Sequence, residues 1–473
     1  MEMEQDKTEG KSFDGIITDR EKEAARLCID TALAHGASQI RVSLNKSILD
    51  SFSVLNGELD KVMHSADRSV YLYIFAEGRY GTFSTNMLEE AGIRDFVARA
   101  TQTTKLLAED RFRKLPDPGR TAKDALTGKE AGLYDTSYHE VKPSERLDKA
   151  LSGAIYSQNP KETVISEECE YSDSIDDNWT IDSQGFEGRH IETSFAYCSE
   201  MTVTGKDGRK YSGYWWDSSP FIADLQIDGC SSVALKKALA NAGPRRIRSG
   251  KYNMVVDRSV SSRLVSPIFS AINGSALQQN NSFLRDSLGK KIFPDSLTIM
   301  DLARTCGRPG SRLYDTEGVA TADAPVILDG TVKEYFINTY MAGKMGMTPT
   351  VEGISRPVLM PFISGKTECG QGRSLQSDKK EISLQDVLSL CGNGIYVCGF
   401  NGGNCNPVTG DFSYGIEGFS FRDGKAAGPV REMLVTGNMI SLWNNLIAAG
   451  SDARRCTRWQ IPTLAFEGVD FSA

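Results

Sequence analysis

A glycine-rich segment near the C-terminus, residues 401–415, constrains the fold of this chain more than any other feature. It follows a short apolar run, residues 395–400, which predicts a strand. Glycines concentrate where a backbone must turn or approach another group closely. The Asn, Thr, Asp and Ser residues between these glycines form local side-chain hydrogen bonds at fixed offsets. The segment therefore predicts a tight loop between two strands.

The helix and strand signals along the chain predict an α+β fold with several regions. The N-terminal regions are expected to be α/β meanders, with helices packed on antiparallel strands, and the C-terminal region to be glycine-rich and mostly β. The predicted parts are a disordered lead-in at 1–15, a first α+β domain at 16–115, a polar connection at 116–143, a second α+β region at 144–243, and a metallopeptidase-like β-rich domain at 249–473.

The two N-terminal regions repeat the same order of elements, helix, four strands and helix. In the first region, Thr18 and Glu21 form a capping-box pattern ahead of an apolar helix. Residues 39–44 and 50–55 predict two separate strands, and residues 163–172 and 178–182 predict two more in the second region. In the third region, the one clear helix is expected to begin near residue 259.

Composition excludes several classes of protein. The formal net charge of −8 argues against nucleic-acid binding, which requires a concentrated basic surface. The chain has no run approaching the roughly 20 apolar residues of a membrane helix, and its charged N-terminus lacks the apolar stretch of a signal peptide. The 10 cysteines include no CxxC pair and are expected to be reduced thiols. We therefore expect a cytoplasmic protein that binds neither nucleic acid nor membrane.

Three segments of the C-terminal half resemble those of one protein family. They are residues 315–319 (Asp-Thr-Glu-Gly-Val), 410–413 (Gly-Asp-Phe-Ser) and 435–439 (Val-Thr-Gly-Asn-Met). In order and spacing they resemble the C-terminal domain of the TldD/PmbA family, often labelled modulators of DNA gyrase. Residues 273–277 and 282–284 resemble the PmbA branch, also called TldE. The likeness extends over most of the chain.

The resemblance implies a metallopeptidase family, but one whose zinc motif is missing from this chain. TldD members carry HExxxH on a helix of the third domain and a later cysteine ligand, a set that binds zinc and activates water. Here Ser266, Pro267 and Ala271 stand at about the positions of the first His, the Glu and the second His. The four histidines all precede residue 249, and the sequence around Cys456 does not match. We therefore expect no catalytic residue, metal ligand or cofactor in this chain.

These observations favour a binding and assembly subunit. By resemblance, the partner would be a TldD-like HExxxH paralogue that carries the zinc, in a heterodimer, or a second copy in a homodimer, and the substrate a short or unfolded peptide. The glycine-rich loops would form the interface and the wall of a peptide channel. The candidate substrate or interface residues are Thr316, Glu317, Gly318, Asn401, Gly402, Gly403, Asp411 and Ser413.

Two alternatives remain open at the level of sequence. The first is a stand-alone hydrolase that uses Glu317 or Asp411 with an unidentified metal. The second is a regulator of DNA topology, as the family label implies, although the acidic net charge weighs against it. Neither the peptide nor the stoichiometry follows from the sequence.

Overall fold

The computed structural model describes residues 15–158, 163–245, 247–363 and 381–473. Apart from Gly15, the predicted disordered lead-in lies outside these ranges. The predicted α+β class is confirmed, with antiparallel sheets, packed helices and a mostly β C-terminal region. None of the helices in the described ranges has the length and apolar character needed to cross a membrane.

The N-terminal half alternates helices with long strands. Its strands are β1 (Gln39–Leu55), β2 (Glu58–Ala76), β3 (Arg79–Thr85), β4 (Val164–Asp182), β5 (Glu187–Thr204) and β6 (Lys210–Ser219). Its helices are α1 (Asp19–Ala34), α2 (Glu90–Thr104), α3 (Pro143–Ser152) and α4 (Cys230–Ala240).

Both N-terminal regions contribute to one antiparallel sheet, with strand order β3-β2-β1-β4-β5-β6. The first strand of each region lies at the centre, so the two regions are arranged symmetrically about the β1–β4 pair. Each region has the order helix, three strands, helix, and the prediction of four strands was wrong. The predicted breaks within β1 and β4 do not occur, because both strands are paired on both sides along most of their length.

Buried arginines explain why β4 continues through an acidic stretch. Arg146 donates to Asp173 through Nε at 2.8 Å and Nη2 at 3.0 Å. Arg189 donates to Asp177 through Nε at 2.9 Å and Nη2 at 2.7 Å. Bidentate arginine–carboxylate pairs of this kind satisfy carboxylates that burial would otherwise disfavour. The partners lie on α3 and β5, so the sequence of β4 alone does not reveal them.

The four helices of this half cover one face of the sheet. Alternate residues of β1, such as Val42 and Leu44, are buried in a cluster with α1 and α2. Further along the same face, Phe52 packs in a cluster with α3. The predicted capping box is confirmed, since Thr18 Oγ1 accepts from the Glu21 amide and the Glu21 carboxylate accepts from the Thr18 amide.

The C-terminal half is built from short strands and short helices. Its strands are β7 (Gly250–Val256), β8 (Ile299–Asp301), β9 (Ala324–Leu328), β10 (Thr331–Val332), β11 (Pro357–Leu359), β12 (Phe362–Ile363), β13 (Gly394–Cys405), β14 (Asp411–Arg422), β15 (Lys425–Asn438), β16 (Leu446–Ala449) and β17 (Leu464–Ser472). Its helices are α5 (Ser262–Ala271), α6 (Gly274–Gln278), α7 (Thr339–Met345), α8 (Leu384–Cys391) and α9 (Met439–Asn444). The predicted helix thus begins at Ser262, and further helices follow it.

The strands β17, β15, β14, β13 and β7 close into a barrel, because β17 pairs with both β15 and β7. The pairs are antiparallel except β13–β7, which is parallel. Strands β10, β9, β8 and β11 form a smaller sheet beside it. The apolar side of α5 is buried with barrel residues in one core cluster, which fixes the helix on the barrel.

The free face of the N-terminal sheet meets the C-terminal half. Tyr314 donates its hydroxyl to the Asn178 side-chain oxygen on β4 at 3.2 Å. The Tyr314 ring also packs edge-to-face on Phe186, with 5.5 Å between ring centroids. The segment that carries Tyr314 therefore connects the sheet to the β-rich half.

Candidate functional site

The glycine-rich segment forms the end of the β13–β14 hairpin and contains a bulge. Asn401 pairs with Gly415 and Asn404 with Ser413, so two residues on β13 face one on β14. Gly402 and Gly403 occupy the bulge with φ values of 68° and 81°. Positive φ values of this size favour glycine at both positions, as expected where glycines concentrate at a turn.

The two bulge glycines differ in their surroundings. A Cβ at Gly403 would lie 2.0 Å from the carbonyl oxygen of Ser413, whereas a Cβ at Gly402 would meet no atom of the described residues within 4 Å. Gly402 is therefore selected by backbone conformation alone, and Gly403 by conformation and by close strand contact. The Gly403 carbonyl accepts a hydrogen bond of 3.3 Å from Arg263 on α5, which places the bulge beside the start of that helix.

Asp411 lies at the surface and stabilises the hairpin turn. Its carboxylate accepts from Asn438 Nδ2 at 2.9 Å and from Thr409 Oγ1 at 2.7 Å. Both hydrogen bonds lower the pKa of Asp411, and the bond from Asn438 has the larger effect. Gly410 beside it has a φ of 79°, and a Cβ there would lie 3.1 Å from the Phe283 ring. The ionised carboxylate of Asp411 thus joins the turn to the end of β15.

The segment containing Thr316, Glu317 and Gly318 is organised by the buried carboxylate of Asp315. This carboxylate accepts from the amides of Glu317 at 2.9 Å, Val319 at 3.0 Å and Glu352 at 2.8 Å. Burial is the largest influence on Asp315 and raises its pKa, although these amides act in the opposite direction. The three bonds hold a tight turn and connect it to the loop that follows α7.

Glu317 and Gly318 have structural contacts of their own. Glu317 Oε2 accepts from the Thr339 amide at 2.8 Å and from its hydroxyl at 2.7 Å, at the start of α7. Burial raises the pKa of Glu317. Gly318 has a φ of 86°, and a Cβ there would lie 2.6 Å from the Phe186 ring. The turn therefore needs glycine in order to approach the N-terminal sheet.

The Asp315 turn supports one wall of a cleft along α5. The Thr316 hydroxyl donates to the Glu352 carboxylate, and the Glu352 carbonyl accepts from Asn273 Nδ2 at 3.4 Å. The cleft has a volume of about 550 Å³. It is lined by Ser266, Phe269, Ser270, Asn273, Ser275, Ala276, Gln279, Asn281, Phe336, Gly353, Ile354, Arg458 and Trp459.

The predicted site residues are not among the described residues that line this cleft. The bulge of Asn401, Gly402 and Gly403 lies beside the start of α5, whereas the Asp315 turn holds the loop opposite its end. The cleft residues Asn273, Arg458 and Trp459 were missed by the sequence analysis. In the sequence, Asn273 lies within the resemblance segment at 273–277, and Arg458 and Trp459 follow Cys456 closely. No other sequence signal pointed to these three residues.

The cleft lies where the zinc motif of the TldD branch would fall, and its residues do not fit zinc. Ser266 and Ser270 are exposed along it, but Ala271 is buried in the core, 1% exposed. Cys456 is also buried, and its carbonyl accepts from Ser218 Oγ at 2.8 Å. Zinc sites need imidazole, thiolate or carboxylate donors, and the cleft offers hydroxyls, carboxamides and one guanidinium. Across the described ranges, no group of three such donors is placed to hold a metal ion.

Two family models match the chain. The model for domain 1 of the PmbA/TldA metallopeptidases matches residues 41–103, and the model for their C-terminal domain matches residues 249–473. Metalloprotease PmbA from Escherichia coli O157:H7 is 24% identical over 426 residues, covering 89% of each chain. The metalloprotease PmbA homolog from Haemophilus influenzae is 24% identical over 459 residues, covering 95% of this chain and 96% of its own.

Solved structures agree with these matches. A crystal structure from Bacteroides thetaiotaomicron, named a putative modulator of DNA gyrase, is 38% identical with a TM-score of 0.89, covering 97% of this chain and 100% of its own. TldE from Thermococcus kodakarensis, at 18% identity, shares the fold with a TM-score of 0.78 over 95% of this chain and 100% of its own. The chain therefore belongs to the PmbA/TldD family of metallopeptidases.

Proposed function

We propose that this chain is the metal-free subunit of a TldD/TldE-type zinc protease, in which it binds and positions peptides for an HExxxH partner. The observation that carries the proposal is the α5 cleft. By the resemblance, its helix stands in the place of the family's zinc helix, yet Ser266 and the buried Ala271 stand at about the positions of the two His ligands. A role in positioning peptides is compatible with this lining, and generation of a metal-bound nucleophile is not.

The polar groups of the cleft support peptide binding. Asn273, Ser275 and Gln279 line one side of it, and Gly353 and Ile354 line the other. Carboxamides and hydroxyls can donate to and accept from the main chain of an extended peptide. Arg458 Nη1 donates to the Ile354 and Ser355 carbonyls, both at 3.2 Å, so the loop wall is held in place. A fixed wall reduces the entropy cost of aligning a peptide, which favours a positioning role.

Reconstitution with an unfolded peptide tests the proposal. We expect no cleavage by this chain alone, little by the HExxxH paralogue alone, and chelator-sensitive cleavage by the two together. Aligned reactants can gain on the order of 7–11 kcal/mol toward a barrier, so a non-catalytic wall can be indispensable. Chelator-sensitive cleavage by this chain alone would overturn the proposal. Full activity of the paralogue alone would remove the positioning role.

A variant pair tests whether the cleft is the responsible surface. Ser270→Trp places a large side chain in the cleft, and it should abolish the stimulation of the partner without unfolding the chain. Ser389→Trp, on the exposed side of α8 and outside the cleft, is the matched control. It should stimulate peptide cleavage by the partner as strongly as the wild-type chain does. Equal stimulation by both variants would show that peptides do not use this cleft.

A further inference from the structure

A cavity of about 510 Å³ lies where β6 and α4 meet the barrel. One side is formed by Trp215, Trp216 and Lys237, and the other by Tyr396 and Glu417 of β13 and β14. Its volume falls in the range of about 300–1,000 Å³ that is usual for small-molecule sites. Its lining does not overlap that of the α5 cleft, so the cavity needs an explanation of its own.

Arg454 is buried in this cavity with an unsatisfied donor. The residue is 7% exposed, and its guanidinium carbon lies 4.2 Å and 4.4 Å from the ring centroids of Trp215 and Trp216. Its Nη2 donates to the Trp216 carbonyl, but its Nη1 has no hydrogen-bond partner in the parts of the chain that the structure describes. A buried charged donor without an acceptor costs free energy. An anion bound in the cavity would supply the missing acceptor.

Lys237 is a second cation at the same place. Its Nζ lies 4.3 Å from the Trp215 ring centroid, so both cations contact one indole. Within the described ranges this Nζ forms neither a hydrogen bond nor an ion pair. Burial lowers the pKa of Lys237, although Asp257 acts in the opposite direction. An anion in the cavity would stabilise the charged form of this lysine.

The remaining charges limit which anion fits. The lining contains the cations Lys236, Lys237 and Arg454 and the anions Asp257 and Glu417. Asp257 is already engaged, because it accepts from the Tyr396 hydroxyl and from the Ser259 amide at 2.8 Å. The Glu417 carboxylate makes no hydrogen bond or ion pair with any described residue. Lys237 and Arg454 match a carboxylate, and the carboxylate of Glu417 matches a cationic group on the same molecule.

We propose that this cavity binds a small zwitterionic carboxylate of the amino-acid or short-peptide class. The carboxylate lies against Arg454 and Lys237, and the ammonium group faces Glu417. A guanidinium with a free N–H and an adjacent ammonium recognise a carboxylate through charge-assisted hydrogen bonds. The inference does not rest on the proposed function, since the site lies within this chain and away from the α5 cleft.

Binding to the purified chain tests the proposal directly. The probes are trialanine, trialanine with an amidated C-terminus, and inorganic phosphate, titrated by calorimetry and by tryptophan fluorescence. We expect trialanine to bind, and its amide and phosphate to bind at least about tenfold more weakly, because one charge-assisted hydrogen bond contributes about that factor or more. Equal affinity for trialanine and its amide, tighter binding of phosphate, or no binding of trialanine would each overturn the proposal.

Variants locate the site. Lys237→Met keeps the length of the side chain, and it should weaken trialanine binding about tenfold. Lys206→Met, at an exposed turn outside the cavity, is the matched control and should bind like the wild type. Arg454→Met should weaken trialanine binding further. If circular dichroism shows that the Arg454→Met chain is unfolded, the result for Lys237→Met alone tests the site. Wild-type affinity in folded Lys237→Met would refute the assignment.

Discussion

The bulge in the β13–β14 hairpin gives the sharpest test of how glycine shapes this domain. Gly402 and Gly403 are adjacent, and both have positive φ values, 68° and 81°. Alanine at either position should cost about 1–2 kcal/mol of stability, because an L-residue in the left-handed region places its Cβ near the carbonyl oxygen. The backbone contribution is thus nearly the same in the two variants and cancels in their comparison.

Steric contact should separate the two variants. The Cβ of Gly403→Ala would lie 2.0 Å from the Ser413 carbonyl oxygen and 2.8 Å from the Tyr414 Cα, both backbone atoms. Relieving such an overlap requires the strands to move apart, which adds about 1–3 kcal/mol. The Cβ of Gly402→Ala meets nothing within 4 Å in the part of the chain that the structure describes. We therefore expect losses of about 1–2 kcal/mol for Gly402→Ala and about 2–5 kcal/mol for Gly403→Ala.

Hydrogen exchange measured by mass spectrometry is the suitable assay, since it reports local opening of the barrel. Amides of β13 and β14 should exchange faster in Gly403→Ala than in Gly402→Ala. Amides of β4, in the N-terminal sheet, should exchange alike in both variants and serve as the internal control. Equal protection of β13 and β14 in the two variants would refute the argument from close strand contact.

Two further predictions concern metal content and the Asp315 turn. Elemental analysis of the purified chain should find far less than one zinc per chain, because the described residues that line the α5 cleft include no imidazole, thiolate or carboxylate donor; about one zinc that resists mild chelation would contradict this. Asp315→Asn should lower the free energy of unfolding in urea by about 1–3 kcal/mol, because the carboxamide has one oxygen for three amide donors. Glu317→Gln should lower the free energy of unfolding by less than about 1 kcal/mol, because a single side-chain oxygen accepts both hydrogen bonds from Thr339 and glutamine keeps one such oxygen. A larger loss of stability for Glu317→Gln than for Asp315→Asn would show that this hydrogen-bond reasoning is wrong.

Local features of the fold were predictable because their physical causes lie within a few residues of each other. The capping box of Thr18 and Glu21 spans three positions, and its hydrogen bonds form within one turn of helix. The positive φ values at Gly402, Gly403 and Gly410 follow from a turn and bulge in one short segment. The lack of imidazole ligands in the cleft could also be predicted, because the sequence has no histidine after residue 249.

Other features were hidden because their causes are distant in sequence. The polar centre of β4 was expected to interrupt the strand, yet Arg146 and Arg189 neutralise Asp173 and Asp177 from α3 and β5. The strand therefore continues, and the second N-terminal region has three strands instead of four. The strand preferences of individual residues cannot predict the continuous strand, because its formation depends on packing and pairing with other elements.

The sequence by itself determined the α+β class, the family, the glycine positions and the lack of zinc ligands near α5. Only the tertiary structure decided that β17 closes the barrel on β7, and that Ser266 and Arg458, far apart along the chain, line one cleft. It also placed Arg454 against the rings of Trp215 and Trp216, with no acceptor for its Nη1 among the described residues. The physical reason is that desolvation and close packing depend on which distant segments meet, whereas turn and capping preferences depend on neighbours along the chain.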